Sequence, residues 1–399
     1  MEEKIAVILG DGMADYPDAE GLTPLMRAHK PNIDRLCAAG TAGLCRTVPE
    51  GMKPGSDTAN LSVMGYDPAV YYTGRSPLEA LSMGIPLQST DLTYRCNLVT
   101  VSDEPDWADK TMIDYSAGEI STPEAAELIA CLADKLDLTG LLHAGISYRH
   151  CLVQPFGVPA GSLTPPHDIT GRRLAAYLPA SPAFRALTYV SFDVLKDHPI
   201  NRARVSRGLN PANAIWLWGE GKKPALDDFY DKFGLKGAVI SAVDLIKGIG
   251  IGAGMDSIDV AGATGTLTTD FDGKAAAAIE ALGNHDFVYV HIEAPDECGH
   301  QGDAAGKVRA IECIDEKIVG PVYRYLAGTG RPFRMLVLPD HATPLSVRTH
   351  VADPVPYVLY DSERADGNGG CLSYDERSVA AGRFIANGFN LVPLLKNGW

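Results

Sequence analysis

The sequence predicts an α/β fold: a mostly parallel sheet flanked by helices, with a smaller α+β domain inserted into it. Three observations lead there. Short apolar runs recur along the chain (KIAVIL 4–9, AIWLW 214–218, GAVIS 237–241, VYVHI 288–292, FRMLVLP 333–339 and VPYVLY 355–360), separated by helical or turn stretches. That alternation is what a parallel sheet requires. Between residues 90 and 210 the texture changes to alternating, half-buried runs typical of an antiparallel sheet. At 399 residues the chain also exceeds the size at which one core keeps growing. The expected organisation is a main domain of residues 1–89 and 211–399, interrupted by an inserted domain of residues 90–210.

In chain order, KIAVIL reads as a first strand delivering Asp11 in the turn GDGM, where Gly10 and Gly12 permit a tight backbone. PNIDRLCAAG (31–40) reads as a helix, with Pro31 at its first position and Gly40 past its end. KPGSDTANLSVMGYDP (53–68) has too little apolar periodicity for a core element and reads as a functional loop running into a short helix. On spacing alone, Ser56 within it is an N-cap serine, or a hydroxyl presented where backbone N–H groups favour an anion. TYRCNLVTV (93–101) and ISYRHCLVQ (146–154) alternate as half-buried strands and bracket a helix in TPEAAELIACLADKL, capped by Thr122 and started by Pro123. GIGIGAG (248–254) is not the dinucleotide fingerprint, no Walker loop occurs, and a helix end or turn is the expectation there. VYVHI empties into a loop, EAPDECGHQGD, that carries Asp296 and His300.

Composition bounds the function. With 46% hydrophobic and 21% charged residues, the chain is of ordinary globular type and has no apolar run long enough to span a bilayer. A formal net charge of −15 disfavours nucleic acid and anionic membranes as partners. An anionic substrate would need local basic residues or bound cations to reverse the field. Eight scattered cysteines without a Cys-x-x-Cys pair argue against a zinc finger. They fit a reducing cytoplasm, the expected location, and the opening MEEKIAVILG reads as a strand, not a signal peptide.

The chemistry gathers at strand ends. FRMLVLP runs directly into Asp340-His341, with His350 nine residues later, so Asp11, Asp296, His300, Asp340, His341 and His350 all stand at or just beyond predicted strand ends. Taken singly, Asp11 reads as a turn carboxylate, Asp340 as a helix cap and His341 as a surface histidine. Together, three carboxylates and three imidazoles exceed one tetrahedral site and suit a two-metal site for phosphoryl displacement. Near a cation, the Ser56 hydroxyl would lose its proton more readily and could attack phosphorus. His291 lies inside its strand and is expected to be a core or supporting group.

These residues carry a resemblance. Asp11 in GDGM, GSDTANLSVMGYDP around Ser56, PDECGH, PDHATP and THVADPVP occur in the order seen in the alkaline phosphatase superfamily. They look most like its cofactor-independent phosphoglycerate mutases of the archaeal type. The resemblance implies an alkaline phosphatase-like fold and two divalent metal ions, with Mn first and Zn or Mg as alternatives, and no bisphosphoglycerate. It implies that Asp296, His300 and His350 hold one metal, that Asp11, Asp340 and His341 hold the other, and that Ser56 is both ligand and nucleophile. It further implies interconversion of 2- and 3-phosphoglycerate through a phosphoserine, with the inserted domain closing over a small anionic phosphorylated substrate. Arg95, Arg149, Arg202, Arg204 and Lys236 are the candidate anion-gripping residues, since carboxylates and phosphates favour a bidentate Arg. One stretch, INRARVSRGLNPANAIWLWGEGKKP (200–224), resembles a bacterial subgroup proposed to act as homoserine kinase. The alternatives are therefore a homoserine kinase-like phosphotransferase or a metal-dependent phosphatase.

Overall fold

The computed structural model describes residues 3–365 and 371–398. Twelve strands occur among the described residues: β1 (Lys4–Gly10), β2 (Thr41–Cys45), β3 (Leu92–Val101), β4 (Met112–Asp114), β5 (Leu142–His143), β6 (Arg149–Gln154), β7 (Ala214–Lys222), β8 (Gly237–Ile240), β9 (Asp256–Ile258), β10 (Phe287–Ile292), β11 (Phe333–Leu338) and β12 (Val355–Asp361). The chain forms two compact units, Met1–Tyr72 with Ala225–Trp399, and Thr73–Pro224.

The first unit holds a seven-stranded sheet in the order β2-β12-β11-β1-β10-β8-β9. β11, β1, β10, β8 and β9 run parallel, and β12 and β2 add an antiparallel edge. Every residue of β1, β10 and β11 is buried, as expected of central strands covered on both faces. Ala6, Ile8, Val288 and Val337 pack on one face with Ile33, Leu36, Ala278, Leu282, Ile311 and Val322 of the flanking helices, while Ile5, Val7 and Leu9 are buried on the other. In the parallel register Gly10 faces Ile292 and Leu9 faces Leu338. The segments that follow these three strands therefore emerge side by side at the carboxyl end of the sheet, where ligands bind in such folds.

The second unit is built on β3, which pairs antiparallel with β4, β6 and β7, while β5 extends the sheet beyond β6. Leu128, Ile129 and Leu132 of the helix Thr122–Lys135, together with Phe184 and Leu195 of Pro182–Leu195, pack against Tyr94, Cys96, Leu98 and Leu217.

The structure departs from four sequence expectations. AIWLW is not a strand of the main sheet: it is the start of β7, paired with β3 in the second unit. Both faces of that strand are buried, and a fully buried run carries no signal of which sheet it joins. The second unit accordingly spans 73–224 where the sequence reading set 90–210, and it also takes in the helix Ser76–Ser82. Asp296 and His300 lie on a helix, Ala294–Gln301, and not in a loop; Pro295 falls in its first turn, where proline is tolerated. Finally, Ser121 and not Thr122 occupies the cap position of its helix.

Each unit ties its own two chain ends together. In the second, the Thr73 hydroxyl donates to the Lys222 carbonyl at 2.6 Å. In the first, the Tyr71 hydroxyl donates to the Asp227 carboxylate, and the Tyr66 hydroxyl donates to the Asp227 carbonyl at 2.8 Å. No helix among the described residues is long and apolar enough to cross a membrane.

Candidate metal centre

Three neighbouring strand ends supply the site. Asp11 leaves β1 in a turn whose next residue, Gly12, has φ 62°, and a Cβ there would stand 2.7 Å from both Asp296 Oδ1 and Thr343 Oγ1. Glycine is thus required for two ligand-bearing segments to approach this closely. Asp11 is 1% exposed; its Oδ2 accepts from His291 Nε2 at 2.9 Å, and its buried Oδ1 has no hydrogen-bond partner. Asp340 and His341 follow β11. Asp340 Oδ1 accepts from the backbone N–H of Gly12 at 3.2 Å and of His341 at 2.9 Å, and Oδ2 accepts from Asn60 Nδ2 at 2.8 Å. The Oδ2 atom also lies 3.3 Å from His341 Nε2.

Ser56 opens the helix Ser56–Val63, but its side chain makes no capping bond, and Gly55 occupies the cap position. Its Oγ instead lies 3.4 Å from Asp11 Oδ2 and 3.3 Å from His341 Nε2. The N-cap reading of this serine is therefore replaced by contact with two of the candidate ligands.

From the helix after β10, Asp296 and His300 sit one turn apart on the same face. His300 Nε2 is 3.2 Å from Asp296 Oδ2 and 3.0 Å from His350 Nε2, and His350 Nε2 is 3.5 Å from Asp296 Oδ1. His300 Nδ1 donates to the Arg348 carbonyl at 3.0 Å, which turns Nε2 toward Asp296 and His350. Two sets of three ligand atoms converge within 4.8 Å: Asp296, His300 and His350, and Asp11, Asp296 and His341. Asp296 belongs to both.

The electrostatics call for cations. Burial pushes the Asp11 carboxyl well above its usual range, and the neighbouring Asp340, Asp296 and Glu293 push it further. Burial also works against Asp296, but hydrogen bonds from His300 and His350 and the charge of His341 hold it well below the usual range. The Asp296 hydrogen bond raises His300 to about 9. Burial lowers His341, and it lowers His291 to about 3. Three buried carboxylates gathered around one orphaned oxygen lack matching positive charge, and two divalent ions would supply it. The oxygen and imidazole donors suit Mn or Zn. On these grounds the residues fit the metal pair.

Several supporting groups carry no sequence signal strong enough to single them out. Thr343 donates to Asp296 Oδ1, and Tyr289 donates to Asn60 Oδ1 at 2.6 Å. Lys307, fully buried, donates to Asp15 Oδ2 at 2.7 Å and to the carbonyls of Thr343 at 2.8 Å and Ala14 at 3.2 Å. Asn60 alone has a readable clue: it falls four residues after Ser56 on one helix.

The candidate anion-gripping residues divide. In the second unit, Arg95 on β3 pairs with Glu79 at 2.9 Å and stacks 4.0 Å over the Trp218 ring. Arg149 stands opposite Asn97 in the β3–β6 register, which places it on the face that also carries Arg95. It is exposed, 5.2 Å over Tyr148. Burial pulls Arg95 below its usual range against the pull of Glu79, and Arg75 and Arg149 add to the lowering, which marks a basic cluster. Arg202 is exposed on the helix Pro199–Ser206. Arg204 is consumed structurally, bound to Glu124 at 2.7 Å and to the carbonyls of Ala117 at 2.6 Å and Asn210 at 2.9 Å. Lys236 immediately precedes β8, so it lies at the amino end of the sheet, opposite the candidate metal ligands.

A family model described as 2,3-bisphosphoglycerate-independent phosphoglycerate mutase matches residues 37–201. A protein of that name from Methanothrix thermoacetophila is 49% identical over 99% of this chain and 100% of its own length. A probable one from Geobacter sulfurreducens is 47% identical over 98% of this chain and 99% of its own length. Among solved structures, a Pyrococcus horikoshii protein aligns with a TM-score of 0.80 at 28% identity, covering 99% of this chain and 97% of its own. The cofactor-independent phosphoglycerate mutase of Thermoplasma acidophilum aligns with a TM-score of 0.63 at 28% identity, covering 98% of each chain.

Proposed function

The chain belongs to the family of 2,3-bisphosphoglycerate-independent phosphoglycerate mutases, and from that premise we propose that it interconverts 2- and 3-phosphoglycerate through a phosphoserine at Ser56. The observation that carries the chemistry is the Ser56 hydroxyl, free of any capping bond and within 3.4 Å of Asp11 and 3.3 Å of His341.

In this reading Asp296, His300 and His350 hold one divalent ion, and Asp11, Ser56, Asp340 and His341 hold the other, Mn before Zn or Mg. When bound, the ions supply positive charge that acidifies the serine hydroxyl and neutralises the phosphoryl oxygens. Asp11 Oδ2 accepts the hydrogen bond of the Ser56 hydroxyl, so the proton is directed away from the lone pair that attacks phosphorus. Ser56 Oγ forms the new P–O bond as the ester bond to glycerate breaks, and the released glycerate oxygen takes up a proton. The reverse step on the other hydroxyl completes the exchange without added bisphosphoglycerate. Asn60 and the Gly12 and His341 amides hold Asp340, and Arg348 orients His300, so the ligand set is preorganised.

The anion grip is assigned to Arg95 and Arg149 in the second unit, with Arg75, which the sequence reading did not single out, as a third member. Their aromatic neighbours Trp218 and Tyr148 hold two of the guanidinium planes.

The test is an assay of metal-reconstituted protein on 3-phosphoglycerate coupled to enolase, with no bisphosphoglycerate, run beside ATP plus homoserine and beside release of inorganic phosphate. Mutase turnover that is lost on chelation and restored by Mn is the expected result. Turnover only with homoserine and ATP, or only phosphate release, would replace the reading.

A further inference from the structure

One buried histidine next to the ligand set is not used above. His291 is fully buried on β10, opposite Leu9 of β1, and its Nε2 reaches Asp11 Oδ2 at 2.9 Å. On its other side, Nδ1 lies 3.2 Å from the hydroxyl of Ser241, the residue that follows β8. β1, β10 and β8 are consecutive in the sheet, so Asp11, His291 and Ser241 form a line across three adjacent strand ends.

The hydrogen-bond capacities fix the direction of that line. Ser241 Oγ accepts from the Val243 N–H at 2.9 Å, so its own proton is available to His291 Nδ1. Protonation at Nδ1 instead would set the Nε2 lone pair against a carboxylate oxygen at 2.9 Å, a repulsive contact. The ring proton therefore belongs on Nε2, donated to Asp11 Oδ2. With Oδ2 held in this way, Asp11 Oδ1 is the buried atom without a hydrogen-bond partner.

Resting on the two-metal reading, we propose that His291 is a positioning residue for the Asp11 metal site. Its Nε2–H, kept on that nitrogen by Ser241, fixes the Asp11 carboxylate with Oδ1 turned to the cation. The arrangement mirrors the supporting hydrogen bonds of metal-bound histidines, with the imidazole here orienting a carboxylate. Losing such a contact costs about 10–100-fold in metal affinity.

The test is titration of chelator-stripped protein with MnCl2 by calorimetry, alongside thermal unfolding of each variant. Wild type takes up two ions. His291→Met removes the N–H and weakens one of the two by about 10–100-fold. His291→Gln places an amide N–H near the Nε2 position and restores most of that loss. Gln as weak as Met, with both folded, would mean that the ring serves as a ligand or as packing, and would overturn the proposal. Unaltered affinity in His291→Met would overturn it equally. If His291→Met does not fold, Ser241→Ala carries the test: it releases the tautomer, so weaker binding at one ion supports the proposal and unchanged affinity at both overturns it. Wild type that binds no Mn would instead remove the two-metal reading itself.

Discussion

Replacing Lys307 by Met tests how the site is held together. The Lys307 ammonium is fully buried and joins three segments: Asp15 and Ala14 after β1, Thr343 after β11, and its own helix Ala304–Ile314. The methionine has similar length but no donors, so the Asp15 carboxylate, itself 2% exposed, loses its cation. Breaking a buried pair from one side costs about 3–5 kcal/mol. Asp15 keeps the amide N–H groups of Tyr16 at 2.8 Å and Leu345 at 3.2 Å, which places the expected loss at the lower end, about 3 kcal/mol. For a unit of this size that corresponds to a fall in Tm of about 6–12 °C. Differential scanning calorimetry of the metal-free protein, following the transition of the first unit, reads it directly. Asp15→Asn added to Lys307→Met removes the stranded charge and should recover a substantial part of the fall. A shift below about 3 °C in the single variant, or a double variant worse than the single by the full cost of Asp15→Asn alone, would refute the account of a charge stranded by its partner's loss.

Other outcomes follow from particular side chains. Ser56→Ala should lower turnover by more than about a thousandfold while Mn uptake persists, measured by the enolase-coupled assay beside metal analysis. Full activity would remove Ser56 as nucleophile. Lys274 is fully buried, and burial, opposed by Glu293, lowers it from 10.5 to about 8. Between those two values the unfolded chain holds the proton and the folded one has shed it, so this group adds stability as pH climbs from about 8 towards 10.5. Lys274→Met should remove that rise, read as Tm against pH for both proteins. Arg348 has φ 59°, a conformation that strains a side-chain-bearing residue. Because it holds His300 through its carbonyl, Arg348→Gly should leave metal binding intact and stabilise by up to about 1 kcal/mol, read as a higher Tm.

What could be read from the sequence was whatever a strand end declares locally. Asp11, Asp340 and His341 directly follow apolar runs, and the parallel register brings them together, so their convergence follows from chain order and sheet class. The strand AIWLW was misplaced because burial on both faces hides the partner strand. PDECGH read as a loop because Pro295 and Gly299 look like breakers, although a proline in the first turn starts a helix. Lys307 and Thr343 were invisible for a different reason. Their roles come from partners 47 residues away for Thr343 and 292 for Lys307, and no local pattern encodes such a partner. Arg204 shows the converse: a charge that looked available is spent on Glu124 and two carbonyls.

The paired chain ends have a consequence for heredity. Thr73 meets Lys222 within one unit, and Tyr66 and Tyr71 meet Asp227 within the other, so each unit holds its own two chain ends side by side. A gene segment coding for residues 73–224 can then be exchanged, lengthened or replaced as a cassette without pulling apart the strand ends that carry Asp11, Asp296 and Asp340. Selection can refashion residues 73–224 while the unit that carries the candidate metal ligands is inherited unchanged.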